Sequence, residues 1–120
     1  QAATQLAAEW AAGDVPSLQR RFSQNGVRLH WEARPLGALD PQHAGASIRE
    51  YLENREAASA RVSRFGEVGG EPPQGFAELR WESRIRGMSE TVTRTIFVGF
   101  VYEDGAWRVA ELRVLPQTRL

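Results

Sequence analysis

Apolar residues recur at helical spacing in the first third of the chain and alternate with polar ones in the rest. Ala3, Leu6, Ala7 and Trp10 form one stripe, which predicts an amphipathic helix. Gly13 ends it, because glycine tolerates the left-handed backbone common at helix ends. Asp14 is a suitable N-cap for a second helix with Pro16 in its first turn. Val15, Leu18 and Phe22 give that helix its buried stripe, and Asn25-Gly26 closes it. A strand follows, with Val27, Leu29 and Trp31 on one face and Arg28, His30 and Glu32 on the other. Pro35 is expected to end it. A loop holding Gly37, Asp40, Pro41 and Gly45 leads to a third helix. There Ile48, Tyr51, Leu52 and Arg55 share a face, and Arg49, Glu50, Glu53 and Glu56 are mostly solvated.

The remainder reads as sheet. Arg61 to Val68 is a short strand, and Gly69-Gly70-Glu71-Pro72-Pro73 is a turn, since proline lacks the donor a ladder needs. From Phe76 to Arg86, Ala77, Leu79, Trp81, Ser83 and Ile85 face one way and Glu78, Arg80, Glu82, Arg84 and Arg86 the other. Gly87-Met88-Ser89 turns the chain into a long hairpin, Glu90 to Pro116, folded at Glu103-Asp104-Gly105. Helices gathered first and antiparallel strands last predict an α+β fold. Its curved antiparallel sheet would wrap on three N-terminal helices as a cone with a central pocket.

Composition narrows the classes. A chain of 120 residues suits a single domain, 1–120, with one core. All fifteen basic residues are Arg, and they balance fifteen acids, so no net field draws nucleic acid or an anionic membrane. The absence of cysteine excludes disulfide and thiolate chemistry. No apolar run reaches the roughly 20 residues that span a bilayer. The chain begins at Gln1 rather than Met, as a mature exported form, a trimmed chain or the end of a longer protein would. The compartment stays open between the cytoplasm and an exported form. No Gly-x-Ser-x-Gly elbow and no phosphate-cradling glycine motif occurs.

An ordered set of short motifs carries a resemblance. They are Trp10-Ala11-Ala12-Gly13-Asp14, then Leu18 and Phe22, then Asn25-Gly26-Val27-Arg28-Leu29. Gly45-Ala46-Ser47-Ile48-Arg49-Glu50-Tyr51-Leu52 and Asp104-Gly105-Ala106-Trp107-Arg108-Val109 complete it. The chain resembles the nuclear transport factor 2-like superfamily, with its SnoaL-like polyketide cyclases and ketosteroid isomerases, over nearly its whole length. The resemblance implies a curved sheet wrapped on three helices, a pocket in the cone, and dimers through the sheet surface. It does not fix function, because the same fold hosts isomerases, cyclases, hydrolases, binding proteins and assembly domains.

For chemistry the resemblance is mostly negative. Ketosteroid isomerases place their proton-moving Asp directly before a proline at the end of the first strand. Here Arg34 precedes Pro35, and a guanidinium cannot act as that base. Glu32, two residues earlier, is the available substitute. The isomerase oxyanion Tyr falls near Leu6 and the oxyanion Asp near Val98. The cyclase Asp falls near Val114. The familiar acid–base groups are therefore missing, and catalytic residues stay unknown.

The remaining polar candidates for a pocket come from strand parity. Glu111 and Arg113 share parity with Trp107, Val109 and Leu115 and would orient a polar ligand, or form an ion pair near the open end of the sheet. Arg94 shares parity with Val92, Ile96 and Val98, and would grip a carboxylate through two N–H groups or extend from a sheet edge. His30 is a candidate base, although its parity places it opposite Val27, Leu29 and Trp31. Tyr51 would aim its hydroxyl into the cone or pack in the core. Trp31 and Trp81, with Trp10 and Trp107, would floor an apolar cavity or fill the core. His43 sits in a loop, and no metal site is implied, because no acid or histidine pair has ligand spacing. No cofactor is implied.

Two functions remain open. One is a small-molecule-binding SnoaL-like protein for a small apolar or carboxylate ligand. The other is a non-catalytic dimerisation or protein-interaction domain. A cone cavity smaller than about 300 Å³ would argue against the first. Along Ile96 to Tyr102 both faces are apolar or aromatic, so both need cover, and a second copy on the convex face is the simplest source.

Overall fold

The computed structural model describes residues 2–116. The elements run α1 (Ala2–Ala12), α2 (Val15–Arg20), β1 (Val27–Trp31), β2 (Arg34–Leu39), α3 (Pro41–Leu52), β3 (Arg55–Gly69), β4 (Gln74–Ile85), β5 (Thr91–Glu103) and β6 (Ala106–Val114). The six strands form one sheet in the order β2-β1-β6-β5-β4-β3. Every neighbouring pair is antiparallel except β1 with β6, which is parallel. The α+β cone is as expected, with the helices against one face of a strongly curled sheet.

The helix boundaries follow from local chemistry. Gly13 takes φ 67°, and the Asp14 N–H reaches back to the Glu9 carbonyl at 2.9 Å, closing α1 with a six-to-one bond. Asp14 then caps α2 by accepting from the Ser17 N–H at 3.3 Å and from the Ser17 hydroxyl at 2.6 Å. Those bonds hold its carboxyl below the ordinary aspartate range. Asp40 caps α3 through the His43 N–H at 2.8 Å, with Pro41 in the first turn. The third helix therefore starts inside the stretch expected to be loop.

Three expectations about strands are corrected. Pro35 does not end the sheet: it lies in β2, opposite His30. β2 is an edge strand, where a missing N–H costs no ladder bond. β3 begins at Arg55 rather than Arg61, so Arg55 stands on the sheet and not on α3. Its pairing with β4 shifts register three times, and such bulges bend a long edge strand around the helices. The third correction is in the last hairpin. Gly99 lies opposite Glu111 and Phe100 opposite Val109, so Ala110 is an extra residue. The bulge reverses the parity of everything after it. Val109 and Leu112 both face the core, and Glu111 and Arg113 face outward.

The cone is filled. Trp10, Trp81, Phe22, Leu6, Leu18, Leu29, Leu79 and Ile96 are fully buried, and Val98 and Val114 join them. Leu6, Val98 and Val114 are among the residues that the resemblance singles out. All three are core residues with no exposed surface.

Candidate functional site

One polar cluster interrupts this apolar interior, where the first hairpin meets the start of β3. Glu32 follows β1 in the two-residue turn to β2 and takes φ 55°, a left-handed conformation that a residue with a Cβ rarely adopts. Its N–H bonds the Val114 carbonyl at 2.7 Å, which pins the turn to β6. From there the carboxylate is shared. Oε1 lies 3.3 Å from Nε of Arg94. Oε2 lies 3.7 Å from Nη2 of Arg55 and accepts from the Tyr51 hydroxyl at 3.2 Å. Two guanidiniums thus face one carboxylate, with Arg94 nearly buried at 11% side-chain exposure.

Aromatic rings frame these charges. Tyr51 stacks on Trp31, centroids 4.6 Å apart and planes at 15°. The Arg55 guanidinium carbon lies over the Tyr51 ring, 4.1 Å from its centroid. Trp81 contacts both Tyr51 at 5.9 Å and Trp10 at 5.4 Å. Arg55 also donates to the Tyr51 carbonyl at 2.7 Å, which ties the start of β3 to the end of α3. Burial pushes the Tyr51 phenol up to about 12, with the Glu32 carboxylate adding to the shift and the Arg55 and Arg94 charges opposing it. Near neutral pH Tyr51 is therefore a donor and not a base.

The cluster has an imbalance of donors over acceptors. Four buried side-chain N–H groups lack a well-aligned acceptor in the described residues: Nε1 of Trp10, Nε1 of Trp81, Nε of Arg55 and Nε of Arg94, the last despite lying 3.3 Å from Oε1 of Glu32. All four belong to this one group of touching residues. An unpartnered buried donor costs about 1–3 kcal/mol, so four together are unusual for a purely structural core.

The space beside the cluster is limited. A cleft of about 230 Å³ is lined by Trp31, Arg34, Leu36, Ser47, Glu50, Tyr51 and Arg55. On the far side of Arg55 a second cleft of about 290 Å³ is lined by residues including Trp10, Gly13, Arg49, Leu52 and Arg86. Each is smaller than the usual range of ligand sites. Glu32 and Arg94 line neither.

Of the residues expected to form a pocket, Arg94, Tyr51, Trp31 and Trp81 do come together. Glu111, Arg113 and His30 do not. Glu111 and Arg113 pair with each other at 3.8 Å on the convex face, and His30 lies opposite Arg113 in the parallel ladder on that same side. Arg55 was not among the expected residues, because its spacing from Tyr51 reads as one helix face. No group of three or more metal-ligating side chains occurs among the described residues, and no described helix is long and apolar enough to cross a membrane.

The convex face holds a larger feature. A groove of about 770 Å³ runs across it, with Phe76, Phe97 and Val101 beside Arg28, Arg64 and Glu111 among its walls. Phe76 and Phe97 stack there, centroids 6.4 Å apart and planes at 8°.

No family model matches the sequence, and no curated protein matches it either. Solved structures do match. A DUF4783 family protein from Bacteroides uniformis superposes with a TM-score of 0.78 at 13% identity, covering 95% of this chain and 94% of its own. A domain of unknown function with a cystatin-like fold from Nostoc punctiforme gives 0.73 at 12%, covering 97% and 73%. A hypothetical protein with a ketosteroid isomerase-like fold from Catenulispora acidiphila, in complex with trimethylamine, gives 0.71 at 10%, covering 92% and 81%. The chain has the nuclear transport factor 2-like fold. Within that fold, its cone is occupied by tryptophans and one arginine–glutamate cluster.

Proposed function

We propose that the protein works chiefly as an association domain, pairing with a second copy of itself through the convex sheet face. The observation that carries this reading is the contrast between a concave side packed with tryptophans and a larger open groove, with paired aromatic rings among polar side chains, on the opposite face of the same strands. β5 is apolar on both sides. Ile96 and Val98 are fully buried and Phe100 nearly so, while Phe97 and Val101 line the groove, which Phe100 also reaches. Charge favours a like partner. The outward pairs Arg64–Glu78, Arg80–Glu82, Arg84–Glu56 and Arg113–Glu111 balance locally, so two copies meet without net repulsion. Size-exclusion chromatography with light scattering tests it. The expected result is twice the monomer mass at micromolar concentration, reverting to the monomer in Phe97→Arg with an unchanged circular dichroism spectrum. A wild-type monomer across that range overturns the reading.

Small-molecule binding is the second reading, and the four donors without a well-aligned acceptor favour it. They call for a ligand that brings acceptors and is small enough for clefts of this size. The trimethylamine of the Catenulispora neighbour does not transfer as a ligand class, because its protonated form is a cation and two arginines would repel it. Neither reading assigns a reaction. Leu6, Val98 and Val114 offer no acid, base or oxyanion donor.

A further inference from the structure

We infer that Glu32 is a built-in stand-in for a ligand carboxylate: it occupies an anion site formed by Arg55, Arg94 and Tyr51, and an exogenous organic carboxylate displaces it. The inference rests on the small-molecule reading and names both its ligand class and the residue that controls access.

The first argument is charge. Within the cluster two guanidiniums surround one carboxylate, leaving an excess of one positive charge when Tyr51 is neutral. The charged groups at the cleft rims are Arg34 and Glu50 on one side and Arg49, Glu53 and Arg86 on the other, so the rims do not supply the missing negative charge.

The second argument is fit. A well-seated carboxylate meets guanidinium N–H groups at about 2.7–2.9 Å, often two at a time. Glu32 reaches its partners only at 3.2, 3.3 and 3.7 Å, and Nε of both arginines remains without an acceptor of good geometry. Its own side chain is 31% exposed, so part of it already lies in water and moving outward costs it little solvation. A free carboxylate is not tethered to a backbone and can take both guanidiniums at better distance.

The third argument is the backbone. Position 32 adopts φ 55°, where glycine or asparagine is preferred and a longer side chain costs about 1 kcal/mol. A glutamate stands at a position whose backbone disfavours it, and the side chain's place in the cluster supplies a reason. The stacked Trp31 and Tyr51 rings beside the site suit a planar group attached to the incoming carboxylate. The probe that follows is benzoate, with benzamide as its neutral counterpart.

Calorimetric titration of both probes into the wild type, Glu32→Gln, Glu32→Gly and Glu32→Gln/Arg94→Gln tests the inference. Wild type is expected to bind benzoate weakly. Glu32→Gln and Glu32→Gly are expected to bind it about tenfold more tightly or better, because the competent state no longer has to be opened. Arg94→Gln should abolish that gain, and benzamide should bind all four alike. The glycine variant suits the left-handed turn, so it preserves the test where Glu32→Gln folds poorly. If the wild type binds benzoate and the two single variants bind it no more tightly, Glu32 is not a stand-in, and the small-molecule reading stands without it. If none of the folded variants binds either probe at millimolar concentration, the small-molecule reading fails and the inference with it.

Discussion

The two faces of the sheet carry the same residue types to different ends. On the convex side, arginines and glutamates pair in water, most of them substantially exposed. On the concave side, one glutamate serves two arginines among buried tryptophans. The geometry is little better inside than outside, with distances of 3.3 and 3.7 Å in the cluster and 3.4 to 3.8 Å on the convex side. What differs is the solvent. Water screens an exposed pair until it is worth little, whereas a charge held away from water must be matched or it becomes a liability. The concave cluster is therefore where substitutions should be felt, and the convex pairs are where they should not.

The largest effect tests the apolar frame of the cluster. Trp81 is fully buried and touches Trp10 and Tyr51. Trp81→Ala should cost about 3–5 kcal/mol in urea unfolding, the usual range for removing a buried large aromatic. A loss below about 1 kcal/mol would mean that the cone is not packed around it.

The next effect separates the two faces directly. Arg94→Met leaves Glu32 with Arg55 alone and should destabilise by about 1–3 kcal/mol, less than a fully buried pair because Glu32 is partly exposed. Adding Glu32→Gln should recover part of that loss, giving a clear coupling in a double-mutant cycle. The same cycle on the convex Arg80–Glu82 pair should give a coupling of about 0.5 kcal/mol or less. Equal couplings on the two faces would erase the distinction.

Tyr51 supplies a pH test of the same burial. Burial raises its phenol to about 12, against an ordinary value of 10.0. The neutral form is favoured in the folded state. Its stabilising contribution is thus fully present below pH 10 and is lost as the pH rises from there through 12. Phenolate absorbance followed by spectrophotometric titration should show Tyr51 ionising near 12 in the wild type, and Tyr51→Phe should flatten the alkaline fall in stability. Ionisation of Tyr51 near 10 would place its ring in water.

How much of this was legible in sequence depends on whether spacing alone decided it. The stripes Ala3-Leu6-Ala7-Trp10 and Ala77-Leu79-Trp81 could be read because burial follows a fixed period. β2 could not be read, because Pro35 signals an interruption unless one knows that the strand is at an edge. Arg55 was misplaced because the period that puts it beside Tyr51 on a helix cannot show that the helix has already stopped at Leu52. The two still meet, through the 2.7 Å bond from Arg55 to the Tyr51 carbonyl. Glu32 was visible only as a substitute base. Its left-handed backbone, which turns the side chain toward two arginines, leaves no mark in a sequence where the residue is not glycine.

The smallest expected effect bears on the bulge at Ala110, which decides the side on which Glu111 and Arg113 stand. Straight alternation from Trp107 would put both inside the cone. The observed register puts both outside, with Arg113 45% exposed and 3.8 Å from Glu111. The two arrangements predict different losses. A charged arginine inside the cone could not be neutralised without a change of several kcal/mol in either direction, since its burial would already be costly. An arginine on the outer face should tolerate Arg113→Gln with a change of about 0.5 kcal/mol or less. The measurement belongs in a Phe97→Arg background, so that self-association does not add to the result. Deleting Ala110 should also be mild, because removal of the extra residue leaves Val109, Leu112 and Val114 inward and Glu111 and Arg113 outward by plain alternation. A severe loss from both the deletion and Arg113→Gln would reverse the assignment of the two faces beyond that point.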